Sequence, residues 1–231
     1  MATKQFFQIA NIFFEPRAAF TSLKEKPASW LVLILMILAS MGVHYWYFAT
    51  VDFSWLMDHT FSSQPDIKPE AREAIAKFMT RDTMMYSSLA MLAIGTLVIN
   101  AVIALYYFIA SKVLGSSIGY GKWFHFAVWV SVPMLLSIPL MALQVATGHG
   151  QVGLEELNML STNFLFVHAP LGTPWASLLN NLSMYHFWTV FLSFVGLRVW
   201  TERSNNACAI AAALPYVLIF GGWALKTAIS N

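Results

Sequence analysis

The chain has 231 residues, of which 58% are hydrophobic and only 10% are charged, and its formal net charge is +2. Soluble domains contain about 45–50% apolar and about 25% charged residues, so this composition excludes an ordinary water-facing surface. The small net charge and the scattered Lys and Arg residues also argue against nucleic-acid binding. A surface that faces lipid needs little charge, and the sequence therefore predicts an integral membrane protein.

The first predicted element is an amphipathic helix over residues 4–24, interrupted by Pro16. Its apolar side chains recur at roughly helical spacing with polar residues opposite, and they are Phe6, Ile9, Phe13, Phe20 and Leu23. Such a pattern is typical of a helix that lies in the membrane interface. It also fits the docking of a protein partner, and both interpretations remain open.

Apolar stretches long enough to cross the membrane follow this segment. Crossing about 30 Å of hydrocarbon takes around 20 residues. The five stretches that meet this length are residues 30–50, 84–111, 123–146, 182–200 and 207–225. The sequence thus predicts an all-α polytopic membrane protein, a bundle of five transmembrane helices with an N-terminal interfacial helix, as a single domain over residues 1–231.

Several residues inside the predicted spans are unusual for apolar helices. Pro133 and Pro139 predict a kink in the third span, because proline removes a backbone hydrogen bond that neighbouring groups must replace in lipid. Asn100 lies near the middle of the second span and is expected to join helices by a hydrogen bond. Arg198 ends the fourth span, where a long side chain reaches the interface.

The last span begins with small residues at i, i+4 spacing, which are Ala207 with Ala211 and Cys208 with Ala212. Small residues let helix backbones approach closely, so this pattern indicates a packing face. The partner across that face is another helix of the same chain or a second copy, and a homo-oligomer remains one alternative.

Lys and Arg residues lie mostly on one side of the predicted membrane. The richer side holds Lys4, Arg17, Lys24, Lys26, Lys112, Lys122, Arg198 and Arg203, and the other holds Lys68, Arg72, Lys77, Arg81 and Lys226. Because cytoplasmic loops are enriched in Lys and Arg, we expect a cytoplasmic N-terminus and an external C-terminus in the inner (plasma) membrane.

Histidines give the only hint of a metal site. Those that map to the external half are His44, His59, His149, His168 and His186, and we take His44, His149 and His186 as the candidate ligands. They lack the short spacing of a zinc motif such as H-E-x-x-H. The sequence also has no G-x-S-x-G elbow and no P-loop, so we expect neither an enzymatic activity nor a cofactor.

Three stretches of the chain resemble the Yip family of five-span membrane proteins, named after the Ypt/Rab-interacting proteins. They read FFEPRAAFTSLKEKPASWLVLIL, GYGKWFHFAVWVSVPMLLSIPL and MYHFWTVFLSFVGLRVWTERSNNACAIAAALPYVLI. The recurring positions are Pro16, Pro133, Phe187, Trp188, Gly196, Leu197, Arg198, Ala209 and Pro215. The resemblance implies five helices and a cytoplasmic N-terminus. The short segment before the first span is similar to that of the bacterial members, for which no biochemical activity and no Rab binding are implied.

Two functional hypotheses follow from these patterns. The first is a non-enzymatic scaffold or adaptor that organises partners or lipids at the inner membrane through its N-terminal helix and small-residue faces. The second is a small-solute or metal-ion carrier, in which the kinked third span and Asn100 shape a path and the external histidines line its mouth. The lipid bilayer is the expected partner in both.

Overall fold

A computed structural model describes residues 2–64 and 67–229, with side chains from Phe7 onward. The α-helices in these residues are α1 Ala2–Phe14, α2 Pro16–Glu25, α3 Trp30–Thr50, α4 Phe53–Ser62, α5 Pro69–Phe78, α6 Arg81–Val113, α7 Tyr120–Val130, α8 Ser137–Thr147, α9 Pro174–Asn181, α10 Met184–Thr201, α11 Asn205–Tyr216 and α12 Gly222–Ile229. Short 3-10 or π-helical turns cover Val132–Leu136, Leu154–Leu157, Asn163–Val167 and Val217–Gly221. The all-α class is confirmed, since no strand occurs in the described residues.

Four helical segments of the described chain are long and apolar enough to cross a membrane, and they are Trp30–Thr50, Arg81–Val113, Tyr120–Thr147 and Asn205–Ile229. They match the first, second, third and fifth predicted spans. On α6, a stripe of side chains at three- and four-residue spacing is about half exposed or more, namely Ile94, Val98, Val102, Leu105 and Ile109. A long exposed apolar stripe of this kind indicates a face in contact with lipid.

The fourth predicted span corresponds to α10, which is not among these four segments. Its buried residues include Thr189, Ser193 and Gly196, which lower the mean hydropathy of the helix. The Thr189 hydroxyl donates to Tyr185 O at 2.9 Å and the Ser193 hydroxyl to Thr189 O at 2.8 Å. The small polar side chains of α10 are thus buried and satisfied by its own backbone, so composition alone does not identify this helix as a span.

The third span is not one continuous α-helix. Helix α7 ends at Val130, a 3-10 turn over Val132–Leu136 contains Pro133, and α8 begins at Ser137. Pro139 lies in the first turn of α8, where an N–H group has no partner within the helix in any case. The interruption therefore lies at Pro133, and Pro139 fits at a helix start.

The chain divides into two compact units. Unit 1 comprises the described parts of Met1–Ile37, Thr96–Leu135 and Tyr185–Asn231, and unit 2 comprises those of Leu38–Gly95 and Leu136–Met184. Each unit has its own cluster of buried apolar side chains.

The core of unit 1 is built on aromatic rings. Phe126 is fully buried, and its ring centroid lies 5.0–5.4 Å from those of Phe20, Tyr107, Trp123 and Trp200. These distances are typical of favourable ring pairs. A Cβ atom at Gly196 would lie 2.4 Å from the Phe126 ring, so the packing of this cluster requires a glycine at that position on α10.

The core of unit 2 is smaller and is supported by polar bonds to backbone carbonyls. The Tyr47 hydroxyl donates to Val152 O at 2.8 Å. The Arg81 guanidinium donates to Phe48 O and, at 2.9 Å, to Val51 O. Phe48 O and Val51 O lie at the end of α3, where the helix supplies no donors of its own. Arg81 from α6 thus satisfies carbonyls at the end of α3, and Tyr47 from α3 satisfies the carbonyl of Val152.

Candidate functional site

The N-terminal pair of helices, α1 and α2, is the most distinctive surface feature of unit 1. Glu15 separates the two helices, and Pro16 occupies the first position of α2. A proline at this position removes no helical hydrogen bond, so it divides the segment without loss of backbone pairing. The Gln8 side-chain amide donates to Ala19 O at 3.0 Å and joins the two helices.

The apolar face of the N-terminal pair packs against protein. Ile12, Phe20 and Leu23 are buried in the unit 1 core, and Ile9 and Phe13 pack against it. The face that the sequence assigns to the membrane interface is therefore covered by the chain itself, apart from Phe6, whose side chain lies outside the described residues. An amphipathic pattern shows that one face is buried but does not distinguish burial in lipid from burial in protein.

Hydrogen bonds fix α2 to the rest of unit 1. The Trp200 indole N–H donates to Phe20 O at 2.9 Å. The Lys24 ammonium donates to Val199 O at 3.1 Å and to Glu202 Oε1 at 2.7 Å. The hydrogen bond from Lys24 lowers the pKa of the exposed Glu202 carboxyl. The N-terminal pair of helices is thus held by ring burial, by hydrogen bonds to backbone carbonyls and by the surface ion pair between Lys24 and Glu202.

The outer surface of the N-terminal pair is left uncovered by the described chain. Phe7 is 69% exposed and Phe14 is 85% exposed, and both Arg17 and Thr21 face solvent. A shallow groove of about 540 Å³ runs beside α2 and is lined by Glu15, Pro16, Arg17, Ala18, Thr21 and Val195. The pair therefore presents phenylalanine side chains and charged groups together on one attached surface.

Asn100 and Arg198 make bonds within unit 1. Asn100 is 3% exposed, its amide donates to Thr96 O at 2.8 Å, and its Oδ1 lies 3.5 Å from the Ser131 hydroxyl. The first bond stays within α6, and the second is a long contact to the residue that follows α7. The Arg198 guanidinium donates to Arg203 O and so joins the last turn of α10 to the loop before α11.

Pro215 lies inside α11 and is followed by the π-helical turn Val217–Gly221. Because proline has no N–H, the carbonyl of Ala211, four residues earlier, loses its usual helical donor. The Tyr106 hydroxyl of α6 donates to that carbonyl at 2.7 Å. Tyr106 was not identified from the sequence. The available signal was a hydroxyl-bearing residue in one apolar span and a proline in another span, where the proline leaves a carbonyl without its helical donor.

The histidine candidates occupy three different settings. His44 Nδ1 lies 2.8 Å from Ser40 O on its own helix. His149 has a left-handed backbone with φ of 50°. His186 contacts the rings of Tyr185, Tyr216 and Phe220. Within residues 2–64 and 67–229, no group of three or more His, Cys, Asp and Glu side chains is placed to hold a metal ion, so the carrier hypothesis gains no support.

Comparison with known proteins gives one match. The family model described as the Yip1 domain matches residues 10–225. Proteins of this family are generally non-enzymatic membrane proteins. Neither the curated proteins nor the solved structures contain a significant match. The matched range includes the last five residues of α1, most of both compact units and all of the membrane-spanning segments described above except the last residues of α12.

Proposed function

Because the chain belongs to the Yip1 domain family, we propose that it is a non-enzymatic scaffold or adaptor that organises protein partners or lipids at the inner membrane. The attachment of the N-terminal pair is the observation that carries this proposal. Burial of Phe20 and the bond from Trp200 fix α2 in place, while Phe7 and Phe14 stay exposed. A fixed surface with uncovered aromatic side chains is suited to binding, because it loses little conformational entropy on association.

The proposal includes a membrane topology for a single domain. Helix α10 serves as a fourth crossing, since its 18 residues rise about 27 Å, close to the thickness of the hydrocarbon layer. Five crossings place the termini on opposite sides, and the distribution of Lys and Arg favours a cytoplasmic N-terminus. Protease treatment of inverted membrane vesicles should remove an N-terminal tag and spare a C-terminal tag. Removal of both tags would contradict this topology.

The N-terminal pair then lies at the cytoplasmic interface. Phe7 and Phe14 are seven residues apart, which places them on the same face of α1. Exposed aromatic side chains on a helix at this depth contact either the headgroup region or a protein that covers them. Both contacts serve the scaffold role, and they can be separated by experiment.

Photo-crosslinking in living cells tests the partner role directly. A photoreactive phenylalanine analogue at position 14 should form discrete protein adducts, whereas the same analogue at position 94 should label lipid. Position 94 is a matched control because Ile94 is 62% exposed on the lipid-facing stripe of α6. Discrete adducts at position 14 only, with the second protein identified in each band, would support the scaffold role.

A double variant tests whether the exposed phenylalanine side chains are needed for partner binding. Phe7→Ala with Phe14→Ala removes exposed side chains and should leave the buried core intact, so the protein should insert normally. Crosslinking from a third position on the same surface, Arg17, should then fall several-fold. Equal adduct yield in this variant, or an absence of protein adducts at both Phe14 and Arg17, would reject the N-terminal pair as the binding surface.

A further inference from the structure

An apolar groove runs between α6 and α11 of unit 1, and we call it the α6–α11 groove. Its volume is about 380 Å³, which lies within the range of ligand pockets. The groove exists because the alanine side chains at its floor are small, namely Ala110, Ala207 and Ala211. Larger apolar side chains line its edges, namely Ile109, Ile210 and Leu214. The side chains of Ile109 and Ile210 are more than half exposed. The groove is therefore open at the membrane-facing surface of the helices and accessible to a lipid.

The floor of the groove offers no unsatisfied polar atom. Tyr106 is the only lining residue with a polar side chain, and its hydroxyl already donates to Ala211 O at 2.7 Å. The lining runs from Tyr106 on α6 to Leu114, the residue after its end, about 12 Å at the helical rise. A narrow apolar channel of this length fits a hydrocarbon chain and gives no basis for binding a polar solute.

Two cations lie close in sequence to the lining residues at one end of the groove. Lys112 directly precedes the lining residue Val113, and its ammonium is 5.2 Å from the centroid of the Phe108 ring. The Arg203 guanidinium donates to Gly115 O at 3.3 Å, one residue beyond the lining residue Leu114. Both side chains are exposed. A charged group at this end of the groove would therefore meet positive charge.

Neither cation is neutralised by a carboxylate of the described chain. Glu202 is the acid beside Arg203, and it is paired with Lys24 at 2.7 Å. Helix α11 also begins two residues after Arg203, with the Ser204 hydroxyl accepting from Ala207 N at 3.4 Å. The positive end of the helix dipole adds to the field of the two cations. This end of the groove is complementary to an anion.

We propose that the α6–α11 groove binds an anionic phospholipid, with one acyl chain along the apolar channel and the headgroup phosphate between Lys112 and Arg203. The inference rests on the proposed function, of which it specifies the lipid that is organised and its site. A second copy of the chain is disfavoured as the occupant. In a two-fold interface through this groove, the Lys112 and Arg203 cations of one copy would face those of the other, and like charges would repel.

Lipid retention in purified protein tests the proposal. The protein is reconstituted into equal mixtures of phosphatidylglycerol and phosphatidylcholine with identical chains, extracted in mild detergent, and the retained lipid is measured by mass spectrometry. The wild type should retain phosphatidylglycerol selectively. Lys112→Gln with Arg203→Gln should reduce this selectivity by about fivefold per cation, the effect expected for one basic residue beside an anionic lipid.

Two further variants separate the effect of charge at the groove from the effect of the apolar channel. Lys68→Gln with Lys77→Gln removes the same charge from exposed positions of unit 2 and should leave lipid retention unchanged. Ala110→Leu fills the channel and should reduce retention while both cations remain. Equal retention of the two lipids by the wild type, or equal loss in the two charge variants, would overturn the proposal. So would a disulfide-linked dimer of Ile210→Cys at high yield, since it would place a second copy in the groove.

Failure of this inference is distinguishable from failure of the proposed function. Protein crosslinking from position 14 is measured in the same strains that carry the Lys112 and Arg203 substitutions. Unselective lipid retention with adducts intact at position 14 would overturn the lipid site and leave the scaffold role standing. Selective retention without any adduct would support the lipid site and remove the evidence for a protein partner.

Discussion

Units 1 and 2 are stabilised by different kinds of contact. In unit 1, Phe126 lies at the centre of five buried rings, and large apolar surfaces are removed from contact with lipid and water. In unit 2, Tyr47 and Arg81 reach across to backbone carbonyls. Ring packing is sensitive to loss of side-chain volume, whereas the bonds of Arg81 and Tyr47 depend on single donor atoms. The two units should therefore respond differently to substitution.

The largest expected effect comes from removing the central ring of unit 1. Phe126→Ala leaves a cavity among four other rings and should lower the free energy of unfolding by about 3–5 kcal/mol. Phe78→Ala in unit 2 is the matched control, because Phe78 is 78% exposed and its loss should change stability by no more than about 0.5 kcal/mol. Denaturant titration in detergent measures both. Equal midpoints for the two variants would contradict the ring-based account of unit 1.

The next effect concerns the polar support of unit 2. Arg81→Leu removes the donors to Phe48 O and Val51 O and should destabilise the end of α3 by about 1–3 kcal/mol, the cost of leaving buried acceptors unpaired. Hydrogen exchange should accelerate at residues 48–52 and remain unchanged in unit 1. Lys77→Leu, which removes an exposed cation of the same unit, should leave both regions protected. Equal acceleration of hydrogen exchange in both units would contradict the view that the two units are stabilised by different contacts.

The smallest expected effect concerns the surface ion pair between Lys24 and Glu202, which helps to attach the N-terminal pair of helices to unit 1. The hydrogen bond from Lys24 lowers the pKa of Glu202 from its ordinary value of 4.5. A lowered carboxyl pKa stabilises the fold above the unfolded value, and this contribution disappears as the pH falls through the folded value. Glu202→Gln should thus slightly accelerate exchange in α2 near neutral pH and have no effect well below pH 4.5. High salt should also abolish the difference, since the carboxylate is exposed.

Length and apolar composition predicted the segments that cross the membrane, because about 20 apolar residues in helical form have few alternatives. Helix α10 was harder to identify as a membrane-crossing helix, because its buried face carries Thr189, Ser193 and Gly196. These residues lower the mean hydropathy of a helix whether or not it crosses the membrane. Its assignment as the fourth crossing therefore depends on the topology experiment.

The candidate site was predicted in position but not in its contacts. The residues 4–24 were expected to form an amphipathic segment, and α1 and α2 cover them, yet Phe20 and Leu23 pack into unit 1. The roles of Lys24 and Trp200 could not be predicted, since their partners are 175 or more residues away in the chain. Periodicity describes one helix at a time, and such long-range contacts are set only by the packing of the whole unit.

The bond between Tyr106 and Ala211 O has a consequence for sequence variation. Pro215 creates the need for a donor at this carbonyl, and the tyrosine meets that need from another helix. A chain with alanine at position 215 would supply its own backbone donor, and phenylalanine at position 106 would then cost little. The two positions, more than 100 residues apart, should therefore mutate in concert, with the hydroxyl retained wherever the imino acid is retained.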